Sequence, residues 1–415
     1  MVISAKAPFG GSVVGISTGA NCLVSASLVR RLASLQNRLI QAVLDIPTSF
    51  LAVVDIEEYY RRQCHPLLSP PGWHLGHCVY IECVWIRGVL CGDRELERRL
   101  QKMYAPEVTS KATRGETLPP RDELIEWAAR LMGEHRDTLE LACESPMTDQ
   151  IMEDNYLIHF LIHHHAQHLE TLCMVRAAWH ACLPVHNYRV GSEALPDYSE
   201  VSFQAFESGN YTIGGNLGFT YDNELPQHQV ALKSFDISSK PVSNAQYLAF
   251  VVDGGYRNPK FWSALGCMWL ARQSTKHPAR WHCDSDGLWF EITPDGPADL
   301  AADSPVNGIT RYEAGAFATW AGARLPHEFE WEAATQGGIL HAVGEVWEWC
   351  ANSFHSYPGF IAYPYREYSV PWFDSRHFVL RGGSDYSEEE IKRPSFRNYY
   401  LADAYHIFSG MRLAR

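Results

Sequence analysis

The sequence predicts a multidomain α+β protein, in which a four-helix bundle is followed by a domain of mixed helices and strands. Residues 25–184 contain long stretches in which apolar residues recur three and four positions apart, the spacing typical of amphipathic helices. Residues 201–415 contain short alternating runs separated by Gly, Pro, Asn and Asp, which are typical of strands and turns. The polar stretch 185–200 has no periodicity, so we interpret it as a linker, and we interpret residues 1–24 as a leader.

Four helices are predicted in the first half. The second of them is strongly apolar, and the third follows the Pro119–Pro120 pair, which is typical of a helix start. The four predicted helices cover residues 28–44, 76–89, 121–141 and 154–179. Four helices joined by connections of varied length favour a bundle, and metal sites in bundles are built from facing helices.

The second half is predicted to alternate strands, turns and short helices. Residues 203–215 and 228–243 have strand-and-turn patterns, and residues 243–252 and 311–321 are predicted to be short helices. The chain shows no internal repeat and no low-complexity segment, so this half is predicted to be one α+β domain rich in loops.

Composition excludes several classes of protein. The net charge of -13 argues against a nucleic-acid partner, because phosphate binding requires a basic surface. No run of about twenty apolar residues is present, so no membrane helix is predicted. The 11 cysteines include no CxxC pair, which favours reduced thiols over disulfides or a zinc knuckle, and we expect a cytoplasmic protein. The oligomeric state is left open.

The run HHHAQHLE at residues 163–170 is the strongest local signal of a binding site. His164 and His168 are four apart on the last predicted helix, so their side chains lie one above the other. Both fall on the apolar stripe of that helix, which consists of Leu157, Leu161, His164, His168, Leu172 and Val175. Because buried imidazoles need partners, the pair predicts a shared metal ion. The neighbouring histidines are expected on the helix surface, namely His159, His163 and His165.

A third ligand is expected from the string PPGWHLGH at residues 70–77, which leads into the second helix. Either His74 or His77 can supply it, and the spacing alone leaves both open. Glu170 points about 200° round the helix from His168, so we expect it to orient a ligand or a neighbouring helix. Three imidazoles suit Zn(II), Fe(II) or Ni(II).

Ordered strings in the second half resemble the formylglycine-generating enzymes and sulfatase-modifying factors, which have a C-type-lectin-like α+β fold. The strings include YDNELPQHQV at 221–230, RLPHEFEWEAAT at 324–335, GEVWEWC at 344–350 and FSGMRLAR at 408–415. The first half resembles the DinB-like helical bundle. A DinB-like bundle fused to this second domain resembles the sulfoxide synthases of ergothioneine and ovothiol biosynthesis.

This resemblance implies an iron site. The family holds Fe(II) with one histidine in a W-x-L-x-H string and two in an H-x-x-x-H-x-E string, which match residues 73–77 and 164–170. The implied ligands are therefore His77, His164 and His168. The family uses O2 as co-substrate to couple a thiol to the imidazole carbon of a histidine derivative, and it leaves a sulfoxide.

The resemblance also implies small-molecule substrates. In the ergothioneine branch the imidazole substrate is hercynine, the trimethylated betaine of histidine, and Gln167 matches a glutamine that helps to place it. Asn398, Tyr399 and Tyr400 match the residues around the trimethylammonium group. A quaternary ammonium cannot donate hydrogen bonds, so aromatic faces suit it.

A tyrosine acts as acid in this family, and a phenol with a pKa near 10 can supply a proton at neutral pH. The candidates lie within residues 357–373, where Tyr363 and Tyr365 are preferred and Tyr357 and Tyr368 are weaker alternatives.

The thiol donor and the reaction class have alternatives. Family members that use gamma-glutamylcysteine carry an acidic residue where this chain has Tyr400, so cysteine or another donor remains open. The surroundings of residues 367–373 also resemble selenoneine synthases, which join hercynine to a selenosugar. A zinc-dependent DinB-like thiol transferase and a lectin-like ligand-binding module are the alternatives of a different class.

Overall fold

The computed structural model divides into two compact units, which are described separately. It describes residues 18–45, 55–144, 150–183, 188–192, 194–195, 200–274 and 276–415. The first unit ends at Trp179 and also includes Leu217–Thr220, and the second contains His180–Asn216 and Tyr221–Arg415. The predicted leader up to residue 17, and residues 185–187, 193 and 196–199 of the predicted linker, lie outside the described residues.

The first unit is helical. Its helices are α1 Thr18–Leu44, α2 Ile56–Arg61, α3 Pro71–Glu82, α4 Glu95–Tyr104, α5 Arg121–Glu144 and α6 Tyr156–Cys182. A wider π-helical segment, Cys83–Leu90, continues α3.

Two helices begin earlier than the sequence predicted. Helix α1 begins at Thr18, inside the predicted leader, because small residues such as alanine and serine extend a helix without leaving an apolar pattern. Helix α3 begins at Pro71 rather than at residue 76, because proline is well suited to the first helical position, where its missing N–H is not needed. No helix in the described part of the chain has the length and hydrophobicity required to cross a membrane.

The second unit combines short strands with short helices. Its strands are β1 Phe203–Phe206, β2 Gly209–Ile213, β3 His228–Leu232, β4 Phe235–Ser238, β5 Trp281–Cys283, β6 Trp289–Thr293, β7 Gly296–Asp299, β8 Trp347–Ser353, β9 His377–Arg381, β10 Asn398–Leu401 and β11 Ser409–Gly410. Its α-helices are α7 Asn244–Val252, α8 Ala264–Leu270, α9 Arg311–Trp320 and α10 Glu328–Gln336. The predicted combination of a helical domain and an α+β domain is confirmed.

Among the described residues, the strands of the second unit form four small sheets. The largest has the order β10-β9-β8-β11, in which β11 pairs with β8 in parallel and the other pairs are antiparallel. The remaining sheets pair β1 with β4, β2 with β3, and β6 with both β5 and β7. An apolar cluster that includes Phe206, Ile213, Phe235 and Ile237 packs against α10 through Ala333 and Ala334.

Candidate metal centre

Three histidines from two helices meet in the interior of the first unit. His77 lies on α3, and His164 and His168 lie one turn apart on α6. One ring nitrogen of each lies within 4.8 Å of the others, and the Nε2 atoms of His77 and His164 are 3.3 Å apart. His77 and His164 are buried, and His168 is partly buried. The structure thus brings together the three histidines predicted as metal ligands.

The ring of His77 is oriented by the end of α4. Its Nδ1–H donates to the carbonyl oxygen of Tyr104 at 2.8 Å, which leaves the Nε2 lone pair available. Gly76 permits this approach, because a Cβ there would lie 2.1 Å from Cε1 of Tyr104. The indole of Trp73 stacks on the His77 ring, with the centroids 4.6 Å apart and the planes at 10°. His77 therefore presents Nε2 in a fixed direction.

His74, the other candidate for the third ligand, contacts a ligand instead. The Nδ1 atoms of His74 and His168 lie 2.9 Å apart, a hydrogen bond in which one of the two donates. If His168 binds a metal through Nε2, its Nδ1–H must donate to the Nδ1 lone pair of His74. His74 therefore orients His168, and it is not part of the three-histidine group.

Burial keeps the imidazoles of this cluster neutral. It lowers the pKa of His77 to about 4, and the Tyr104 carbonyl only partly offsets it. It lowers the pKa of His74 to about 3, with a further contribution from His77. Burial and the neighbouring histidines also hold the pKa values of His164 and His168 well below the usual range. Because metal ions bind neutral imidazole, these four side chains are in the required state at neutral pH.

The cluster fits a divalent metal that prefers nitrogen ligands. Within the described part of the chain, His164 Nδ1 is buried without a hydrogen-bond partner, and the Nε2 atom of the same ring faces His77. Two lone pairs that face one another in the interior are unfavourable unless they share a partner, and a metal held by three imidazoles satisfies the facing nitrogens, although not Nδ1 of His164. Zn(II), Fe(II) and Ni(II) suit this donor set.

The expected surface positions of two neighbouring histidines were wrong. His163 and His165 are buried, with 3% and 0% of their surface exposed, whereas His159 is partly exposed. Helix α6 is enclosed on almost all sides, because Ile158, Phe160 and Ile162 are buried as well. A helix buried all round carries no polar face, so its periodicity could not identify a surface.

Two further residues of α6 were singled out from the sequence. Gln167, the predicted substrate contact, precedes His168 and is partly buried. Glu170, predicted to orient a ligand or a neighbouring helix, is buried with 3% of its surface exposed.

A buried carboxylate beside the cluster was missed by the sequence reasoning. Glu82, the last residue of α3, accepts hydrogen bonds from His165 Nε2 at 2.7 Å, His135 Nδ1 at 2.8 Å and Gln36 Nε2 at 2.7 Å. Burial opposes ionisation, but the bonds from His135 and His165 outweigh it and lower the pKa of Glu82 to about 2. The sequence did contain a signal, because Glu82 is the single carboxylate within the apolar stretch 75–86. A carboxylate buried with such a stretch must find hydrogen-bond partners.

A second donor group shares one member with the first. The sulfur of Cys78 and one ring nitrogen each of His164 and His165 lie within 4.8 Å of one another. Burial raises the pKa of the Cys78 thiol well above its usual range, and His165 already bonds to Glu82 through Nε2. This group is therefore less suited to a metal than the three-histidine group.

The predicted residues around the trimethylammonium group lie on β10 of the second unit. Consecutive side chains of a strand point to opposite faces, so Asn398 and Tyr400 share one face and Tyr399 occupies the other. Tyr399 stacks on Phe354 with the ring centroids 4.1 Å apart, and its hydroxyl donates to the Tyr368 carbonyl at 2.8 Å. These contacts give Tyr399 a packing role.

The preferred candidate tyrosines lie in a loop that is anchored by Asp222. Tyr363 donates its backbone N–H to Asp222 Oδ2 at 3.2 Å, and the Ser369 hydroxyl donates to Asp222 Oδ1 at 2.5 Å. Tyr363 and Tyr365 are both partly buried. Burial raises the pKa of Asp222 to about 7, although these hydrogen bonds oppose the shift.

The two weaker candidates have raised pKa values. The Tyr357 hydroxyl is buried and lies 2.9 Å from Nη2 of Arg381. Burial raises the pKa of Tyr357, and burial together with the neighbouring phenols raises the pKa of Tyr368 well above its usual range.

Each half of the chain matches a known protein family. The sulfatase-modifying factor enzyme 1-like domain matches residues 199–343 and 338–415, which is more than half of the chain. The DinB superfamily matches residues 31–172. These are the two resemblances predicted from the sequence.

Curated relatives match both halves together. The hercynine oxygenase of Mycolicibacterium smegmatis is 30% identical, with 85% of this chain and 92% of the relative covered. The hercynine oxygenase of Mycolicibacterium thermoresistibile is 29% identical, with 91% of this chain and 94% of the relative covered. Ergothioneine biosynthesis protein 1 of Schizosaccharomyces pombe is 27% identical over 48% of this chain and 28% of its own length. The chain is therefore an oxidoreductase that belongs to the ergothioneine sulfoxide synthase family.

Proposed function

We propose that this enzyme is an Fe(II)- and O2-dependent hercynine oxygenase that joins the imidazole carbon of hercynine to a sulfur donor. The observation that carries the proposal is the buried group of His77, His164 and His168, whose ring nitrogens lie within 4.8 Å of one another. Support comes from the hercynine oxygenases that this chain resembles over 92% and 94% of their lengths.

His77, His164 and His168 would hold the ferrous ion. When bound, Fe(II) supplies the redox chemistry that lets dioxygen oxidise the substrates. Three neutral imidazoles leave the ion its full charge, and three protein ligands leave coordination positions open for small molecules. Trp73 and the Tyr104 carbonyl hold the His77 ring, so the ligand direction is fixed before the substrates bind.

Gln167 would contact the imidazole of hercynine. Its amide carries two donors and an acceptor, so it can hydrogen-bond either nitrogen of a neutral imidazole. It lies one residue before His168, in a partly buried position on α6. A Gln167→Leu variant should therefore raise the KM for hercynine with little effect on metal content.

Asn398 and Tyr400 would recognise the trimethylammonium group. They share one face of β10, and the face of a phenol ring attracts a quaternary ammonium that cannot donate hydrogen bonds. Tyr399 was predicted for the same task and stacks on Phe354, so we propose Asn398 and Tyr400 as the primary contacts.

A phenol would supply the proton that oxygen chemistry consumes. Tyr363 and Tyr365 are the preferred donors at their hydroxyl oxygens, as the family resemblance implies, and both lie in the loop that Asp222 anchors. Phenylalanine at the acting position should lower kcat more than the KM of either substrate. Phenylalanine at the other position is the matched control.

The sulfur donor is proposed to be free cysteine, with a selenosugar as the alternative that would make the enzyme a selenoneine synthase. Tyr400 stands where an acidic residue is expected for gamma-glutamylcysteine, so the dipeptide is disfavoured. Incubation of iron-loaded protein with hercynine and each of the three donors, followed by product mass determination, distinguishes a carbon–sulfur from a carbon–selenium product.

Oxygen uptake tests the proposed function. Consumption of O2 should require Fe(II), hercynine and a donor together, and a His164→Ala variant should lose it while remaining folded by circular dichroism. Full turnover by His164→Ala, or uptake that does not depend on hercynine, would refute the assignment.

Zinc-dependent thiol transfer is a second candidate, favoured by the group of Cys78, His164 and His165. It assigns no role to the domain at 199–415. Metal analysis after anaerobic purification separates the two candidates, since bound zinc with thiol transfer in the absence of oxygen would support the second one.

A further inference from the structure

Glu82 lies at the centre of a buried hydrogen-bond network that joins four helices. Its carboxylate, on α3, accepts from His165 on α6, His135 on α5 and Gln36 on α1, with distances between 2.7 and 2.8 Å. Its exposed surface is 0%. Burying a carboxylate costs several kcal/mol unless hydrogen bonds satisfy it, so this position is held only by a complete set of donors.

The bond from His165 to Glu82 connects the same two helices that carry the candidate ligands. Glu82 follows His77 by five residues on α3, which is about 7.5 Å along the helix axis. His165 adjoins His164 on α6, and a ring nitrogen of each lies within 4.8 Å of the other. The bond therefore fixes the distance and rotation of α3 relative to α6 within two turns of the three-histidine group.

Two arginines hold the outer donors of the network. Arg87 Nε donates to His135 Nε2 at 3.2 Å, so His135 carries its proton on Nδ1, the atom that faces Glu82. Arg136 donates to Gln36 Oε1 at 2.5 Å, which turns the amide NH2 of Gln36 toward the carboxylate. Each arginine is thus one residue away from Glu82.

The Glu82 carboxylate is therefore a buried negative group that no arginine or lysine among the described residues contacts directly. A metal held by three neutral imidazoles carries its full positive charge into the same buried region. Opposite charges attract strongly where water is excluded. The cost of burying the Glu82 carboxylate and the cost of burying the positive metal ion therefore offset one another when the metal binds.

We propose that Glu82 is a positioning residue for the metal centre, which holds α3 and α6 in register through His165 and supplies the buried negative charge opposite the metal. The inference rests on the proposed function, because it takes His77, His164 and His168 as the ligands. Glu82 itself is not a ligand, since its oxygens are taken by the three donors.

Co(II) binding to the full chain tests this proposal. Co(II) is a spectroscopic substitute for Fe(II), and its visible absorption reports ligand geometry independently of turnover. In Glu82→Gln we expect the Co(II) dissociation constant to rise about 10- to 100-fold and the visible bands to shift. The matched control is Glu126→Gln, which removes an exposed carboxylate of α5 that lies outside the network, and less than a twofold change is expected. Wild-type affinity and spectrum in Glu82→Gln would overturn the proposal.

A second pair of variants decides the question if Glu82→Gln does not fold. His165→Gln keeps a side-chain donor for Glu82, whereas His165→Phe removes it at similar size. Weaker Co(II) binding by His165→Phe than by His165→Gln supports the proposal, and equal affinities overturn it. If the wild-type chain binds no Co(II), the proposed metal function fails first, and that result differs from wild-type binding that Glu82→Gln leaves unchanged.

Discussion

Replacing Glu328 by glutamine should destabilise the second unit by about 3–5 kcal/mol, the cost of breaking a buried ion pair by removing one partner. Glu328 lies at the start of α10 and bonds two arginines. Arg397 donates to both of its oxygens at 2.8 Å, and Arg381 donates to Oε2 at 2.6 Å. All three side chains are 0% exposed, so water cannot replace the lost carboxylate.

The magnitude follows from the number and kind of contacts that are lost. Hydrogen bonds to charged groups contribute about 1.5–3 kcal/mol each, and glutamine keeps one acceptor oxygen but no charge. Because Arg397 directly precedes Asn398, the loss is expected to loosen β10 as well. For a unit of this size, each kcal/mol changes Tm by roughly 2–4 °C, so a decrease of roughly 6–20 °C is expected.

The assay must resolve one unit, because a two-unit chain need not unfold in a single transition. Urea denaturation with hydrogen-exchange mass spectrometry of peptides covering β9 and β10 provides this resolution. Glu330→Gln is the control: the residue is on the same helix and pairs at 2.7 Å with Arg324, whose side chain is 45% exposed, so about 1 kcal/mol or less is expected. A Glu328→Gln loss no larger than that of the control would refute the reasoning.

The same group of Glu328, Arg381 and Arg397 predicts a pH dependence. Burial opposes ionisation of Glu328, but Arg397 and Arg381 outweigh it and lower its pKa to about 2. The stability it contributes is therefore present above the usual value of 4.5 and is lost as the pH falls through 2. The stability difference between wild type and Glu328→Gln should shrink over that interval.

Three further outcomes are expected. Tyr400→Ala should raise the KM for hercynine about 2- to 30-fold, as expected for loss of about 0.5–2 kcal/mol of cation–π attraction, and should raise the KM for unmethylated histidine less, because a primary ammonium can hydrogen-bond instead; equal effects on both would contradict the assignment. Asp222 has a folded-state pKa raised to about 7, so its contribution to stability is fully present below the usual value of 3.8 and is lost as the pH rises through 7. Denaturation midpoints of wild type and Asp222→Asn across pH 4–8 should therefore diverge as the pH rises, and parallel curves would exclude the shift. Adding Fe(II) anaerobically at about 100 times its Kd should stabilise the first unit by about 2.7 kcal/mol and a chelator should reverse this, whereas His164→Ala should show no response.

The long helices could be predicted from the sequence, because apolar residues three and four positions apart are a local pattern that indicates a helix directly. Helix α4 could not, because Glu95–Tyr104 is short and half of its residues are charged, and its position is fixed by contacts with α3. The small sheets were predicted only as strand-and-turn patterns. Their order β10-β9-β8-β11 depends on pairing between distant segments, which no local pattern reports.

The candidate site was predictable in part for the same reason. The spacing of His164 and His168 is local and indicates a shared ligand directly. The choice between His74 and His77 is not local, because it depends on which ring meets the Tyr104 carbonyl and which meets His168. Glu82 was missed because its three donors come from helices far apart in the sequence.

Hydrogen bonds to the nitrogens that do not face the cluster distinguish the roles of the histidines. His77 uses Nδ1 on a backbone carbonyl and His168 uses Nδ1 on His74, so each keeps one nitrogen for the centre. His164 differs, since its buried Nδ1 has no partner within the described residues. Its ring must be held through its neighbours, and the adjacent His165 is anchored to Glu82 at 2.7 Å. Among the residues that do not bind the metal, Glu82 should therefore affect the metal affinity most, through His165 and His164.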